Sequence, residues 1–105
     1  MPNGHDKNWV RLCAAIDGFR IRHGHWPIRV RMYPRSLEDL REHVFSRAAF
    51  AKIEGKVKLV ADDAPMIAED DTGAQYNYGK EGFPEKRPTP NAAEWLGVKP
   101  KPGEY

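Results

Sequence analysis

Apolar residues recur at three- and four-residue spacing over positions 7–23, where Trp9, Leu12, Cys13, Ile16 and Phe19 fall on one stripe of an amphipathic helix. Asp6 is its predicted N-cap, and Gly24 fits the left-handed position that closes many helices. Arg20, Arg22 and His23 complement the negative end of the helix dipole. Gly18 is the weak point of this helix, because glycine in a helix interior is about 1 kcal/mol worse than alanine. After His25, Trp26 and Pro27 the period changes from helical to alternating. Ile28, Val30 and Met32 point one way, and Arg29, Arg31 and Tyr33 the other, which is the pattern of a half-buried strand.

Pro34 stops that strand, and Ser36-Leu37-Glu38-Asp39 has the form of a capping box with a carboxylate at its third position. A second helix is predicted over 37–45, its face formed by Leu37, Leu40, Val44 and Phe45. Ser46 caps a short third helix over 47–53, with Phe50 and Ile53 inward and Gly55 as terminator. Val57, Leu59 and Val60 then mark a strand, and Asp62-Asp63-Ala64-Pro65 turns the chain into a second strand at 66–69. Asp70-Asp71-Thr72-Gly73 makes a tight connection to a third at 74–78.

Together these elements predict an α+β domain over residues 1–78: an N-terminal helix, one strand, two short helices, then a small antiparallel three-stranded meander. From Gly79 to residue 105 the composition shifts, with prolines at 84, 88, 90, 100 and 102 and few aliphatics, which predicts an extended tail. A short helical turn is expected within it at 91–97. There Trp95 and Leu96 form an apolar pair that is expected to dock on the domain, on a partner, or on a second copy in a homo-oligomer.

A chain of 105 residues has room for one hydrophobic core. Its 30% charged residues and negative mean hydropathy favour solubility, and no apolar run approaches the roughly 20 residues that span a bilayer, so no membrane partner is expected. The opening Met-Pro-Asn-Gly-His-Asp lacks a basic segment followed by an apolar one, which leads to an expectation of a cytoplasmic protein. Cys13 is the only cysteine, which excludes an intrachain disulfide and a multi-cysteine zinc site. On the apolar stripe it reads as a small buried hydrophobe.

Charge is unevenly spread, and this sharpens the functional reading. Residues 1–60 carry 12 Lys or Arg against 6 Asp or Glu, a balance of +6, whereas residues 61–105 carry 5 against 9, a balance of −4. Such a split either presents a basic face to a polyanion or draws the two halves together within the fold. The window 20–35 is the densest feature: Arg20, Arg22, Arg29, Arg31 and Arg35 with His23 and His25, and no acidic residue. Arginine suits bidentate contact with phosphate, so Arg20, Arg22, Arg29, Arg31, Tyr33 and Arg35 are the candidate nucleic-acid or anion-binding set.

His23 and His25 straddle a helix end and are the candidate acid and base. They are too few for a metal site, and the acidic stretch at 62–71 reads as turns and not as a calcium loop, so neither metal nor other cofactor is expected. Three functional readings follow. The leading one is a small binding or adaptor module whose basic half contacts nucleic acid or an acidic protein. The others are a small RNA-cleaving or phosphate-handling enzyme built on the same Arg/His window, and a structural homo-oligomer with a docking tail.

Overall fold

The computed structural model describes residues 8–84 and 91–100. Among them the order is α1 (Asn8–His23), β1 (Arg29–Met32), α2 (Pro34–Asp39) running into a π-helical turn (Leu40–Val44), α3 (Arg47–Glu54), β2 (Lys58–Ala61), β3 (Ile67–Glu69), β4 (Gln75–Asn77), α4 (Tyr78–Glu81) and α5 (Asn91–Leu96). The chain is thus mixed α+β. Its strands form one sheet in the order β2-β1-β3-β4, with β1 parallel to β2 and antiparallel to β3, and β3 antiparallel to β4.

This pairing corrects the expected meander of three strands after the helices. β2 and β3 do not pair; β1 lies between them, and α2, the π turn and α3 form the crossover that any parallel pair requires. The physical reason is burial. Val30 and Met32 are fully buried, as befits a central strand, whereas alternation alone marks a strand without naming its neighbours. The link from β2 to β3 straddles the end of β1, with the Asp62 N–H donating to the Met32 carbonyl at 2.7 Å. It closes at Met66, whose φ of 68° is the one left-handed non-glycine conformation among the described residues.

Register sorts the sheet into two faces. Leu59, Val30, Ala68 and Tyr76 form one row and join Leu12, Ile16 and Phe19 of α1, Leu40 and Val44 of the π turn, and Phe50 and Ile53 of α3 in a single core. The opposite face carries two rows, Lys58, Arg29, Glu69, Gln75 and Val60, Arg31, Ile67, Asn77. Gly18 has a packing role here: a Cβ at that position would overlap the Tyr76 ring, so the aromatic packs directly on the α1 backbone.

Two further expectations are corrected. The helix after β1 starts at Pro34 and not at 37, with Tyr33 at the cap position and no side-chain cap bond, so the Ser36 capping box does not form. Proline at the first helical position supplies the preset φ instead. The chain also does not run out extended from Gly79. β4 passes directly into α4, Asn77 caps it by accepting the Lys80 N–H at 3.1 Å, and α5 packs against α1 with Ala92 and Leu96 fully buried in the main core. The Ser46 cap forms, accepting the Ala49 N–H at 3.1 Å. Asp6 lies outside the described residues.

Candidate binding site

The window 20–35 is divided by the fold between four places. Arg29 and Arg31 stand side by side on the helix-free face of the sheet, where register sets Glu69 opposite Arg29. Arg29 pairs with Glu69 through its Nε and with Asp71 at 3.2 Å. Arg31 pairs with Glu69 at 3.1 Å and with Asp62 at 3.2 Å. Gln75 adds a third donor to Glu69 at 3.0 Å. Burial pushes the Glu69 carboxyl up, but the two guanidiniums outweigh it and hold the group below its ordinary range. Two guanidiniums thus meet three carboxylates, and the arginine charge on this face is cancelled.

The histidines sit at the end of that sheet. His25 places Nε2 2.6 Å from Asp70 Oδ2 and Nδ1 3.1 Å from the His23 carbonyl, while His23 places Nε2 3.1 Å from the Gln75 carbonyl. Both partners of His25 are acceptors, which leaves neither ring nitrogen open toward a substrate. Asp70 is saturated as well: its other oxygen accepts from the Thr72 N–H at 2.9 Å, the Thr72 hydroxyl at 2.7 Å and the Ala74 N–H at 3.2 Å. The bond from His25, then those from Thr72, hold its carboxyl far below the usual range. This arrangement locks the β3–β4 turn. Arg22 is also engaged, paired with Glu81 and lying 4.9 Å from the Tyr76 ring centroid.

Arg20 is placed differently. It lies over Trp26, 4.8 Å from the ring centroid, and donates to the Gly24 carbonyl at 3.3 Å. Trp26 in turn stacks on Trp95 of α5, with centroids 4.4 Å apart and planes 3° from parallel, and Lys56 lies 5.7 Å over the Trp95 ring. Leu96 fastens this end from within, fully buried beside Ala92, and the buried Asp17 carboxyl of α1 accepts the Ala92 N–H. Lys52 of α3 approaches Gly97 at the end of α5. Arg20, Trp26, Trp95 and Glu94 line an open cavity of 280 Å³. Among the described residues none of Arg20, Lys52 and Lys56 forms an ion pair with a carboxylate, so three cations face the single carboxylate of Glu94 at this end of the molecule.

Tyr33 and Arg35 stand elsewhere, at the start of α2, both exposed. The fold therefore separates the residues of the sequence window and sets Arg20 apart from the other arginines. Trp26, Lys52 and Lys56 were not singled out as a surface, because their meeting depends on α5 returning to the start of β1. The only sequence signal was Trp95 itself, an aromatic too large to leave unpartnered in a polar tail.

Burial, with a smaller effect from the Asp17 charge, pushes the Cys13 thiol well above its ordinary value, which removes it from nucleophilic chemistry. Among the described residues no group of three His, Cys, Asp or Glu side chains is placed to hold a metal ion, and no helix is long and apolar enough to cross a membrane. Compared with known proteins, the chain matches no family model, no curated protein and no solved structure, so its functional reading rests on its own residues.

Proposed function

We propose that this protein is a non-catalytic binding module for single-stranded nucleic acid, with the Trp26–Trp95 stack as its base platform and Arg20, Lys52 and Lys56 as its phosphate contacts. The observation that carries the reading is the parallel indole pair flanked by cations without carboxylate partners. Aromatic planes accept any base by stacking, and cations beside them track the backbone. Arg20 is the movable part: an incoming base takes its place against Trp26 while the guanidinium, released from the 3.3 Å bond to Gly24, swings onto the adjoining phosphate.

The enzymatic alternative finds less support, because His25 has both ring nitrogens engaged, by Asp70 and the His23 carbonyl, and His23 directs Nε2 to the Gln75 carbonyl. Titration of the protein with a fluorescently labelled oligothymidylate tests the proposal. Trp26→Ala is expected to weaken binding about tenfold, since base stacking on an aromatic is worth about 1–3 kcal/mol. Wild-type protein that ignores the oligonucleotide at low salt, or a Trp26→Ala protein that folds and binds as tightly, overturns it. Equal affinity for polyglutamate identifies an acidic protein as the partner instead.

A further inference from the structure

A second concave site lies away from the tryptophan stack. Arg11 and Arg20 are about two and a half turns apart on α1, which sets them on opposite flanks of the helix. Arg11 lines a cavity of 210 Å³ with Tyr33 and Ser36 from the start of α2, Met66 from the turn before β3, and Tyr78 from α4. Pro65 and Gly79 complete the wall, and a Cβ on Gly79 would overlap the Pro65 ring, so this close approach requires glycine. The Gly79 N–H donates to the Pro65 carbonyl and the Tyr78 N–H to the Met66 carbonyl, both at 3.0 Å, which fixes the wall to the sheet. Met66 holds its left-handed conformation at this rim.

The lining has a definite chemistry. Among the described residues Arg11 has no carboxylate partner, in contrast to Arg22, Arg29 and Arg31, so it brings one uncancelled positive charge to the cavity. Ser36, Tyr33 and Tyr78 bring hydroxyls, while the two phenol rings, Pro65 and Met66 bring apolar surface. A guanidinium with neighbouring hydroxyls recognises a carboxylate through bidentate, charge-assisted hydrogen bonds. One cation matches one negative charge, and apolar walls call for an apolar body on the ligand. From this geometry we infer that the cavity binds a small organic carboxylate carrying a single ring or a short branched chain.

Benzoate and its neutral isostere benzamide are the probes, followed by amide chemical shifts of the full chain. Benzoate is expected to shift the amides of Ser36, Met66 and Gly79 saturably, and benzamide to bind about tenfold or more weakly. Arg11→Gln is expected to lose about the same factor for benzoate while keeping the native spectrum. Should that variant misfold, the benzoate and benzamide pair on wild-type protein still decides. Benzamide binding as well as benzoate, shifts centred on Trp26 and Trp95, tighter binding of inorganic phosphate, or no saturable shift overturns the inference. Apart from shifts centred on Trp26 and Trp95, which concern the other flank of α1, these outcomes leave the nucleic-acid reading untouched.

Discussion

Asp17 is the residue whose chemistry reaches furthest into the fold. It is buried on α1, and desolvation raises its carboxyl from 3.8 to about 6, partly offset by the bond it accepts from the Ala92 N–H. For an acid raised on folding, the native state holds its proton more tightly than the unfolded chain does. Its contribution to stability is therefore fully present below about pH 4 and is lost as the pH rises through about 6. Asp70 acts in the opposite sense: its depressed carboxyl favours the fold above the ordinary carboxylate range and loses that effect on acidification. Asp17→Asn keeps an acceptor for Ala92 and removes the titration. Urea unfolding of both proteins between pH 4 and 7 is expected to show the wild type losing stability relative to the variant as pH rises. A constant difference contradicts the assignment. At this scale the sequence was legible only by type. It marked Gly18 as a helix weak point, but the Tyr76 ring that requires a glycine there belongs to a strand 58 positions later.

Among the elements, α1, α3 and the strand segments were readable almost to their ends, because each is a local periodicity of apolar positions. Pairing was not, since β1 and β2 are joined by a crossover and their register depends on contacts far apart in sequence. Both sheet edges are blunted by side chains: Glu54 accepts the outward Leu59 N–H at 3.4 Å, and His23 meets the Gln75 carbonyl on β4. The last described helix is the element with the largest consequence. α5 is one and a half turns long, too short to stand alone, and is held by burial of Ala92 and Leu96 and by the indole stack. Leu96→Ala is expected to cost about 2–5 kcal/mol, the range for emptying a fully buried leucine site. Chemical denaturation monitored by circular dichroism measures it. A cost below about 1 kcal/mol, the size of an exposed-site change, places α5 outside the cooperative core.

For the whole molecule, part of the charge split between the halves is met within the fold. Arg22 with Glu81, Arg29 with Glu69 and Asp71, Arg31 with Asp62 and Glu69, and His25 with Asp70 each join the basic half to the acidic one. The formal net charge of +2 is the small remainder, and the cations left without carboxylate partners include those around the tryptophan stack. Composition alone could not separate these two populations of basic residues, because carboxylates 31 to 59 positions away decide which arginines are spent.

The salt dependence of oligothymidylate affinity, compared between two double variants, tests this division most directly. Affinity for single strands falls with a log–log slope of about 0.7 per neutralised phosphate, so three contacts give a slope of about −2. Arg20→Ala with Lys56→Ala is predicted to weaken binding and bring the slope to about −0.7, leaving Lys52 alone. Arg29→Ala with Arg31→Ala is predicted to lower thermal stability while leaving the slope at its wild-type value. The reverse pattern, with the slope carried by Arg29 and Arg31 and indifferent to Arg20 and Lys56, contradicts the account.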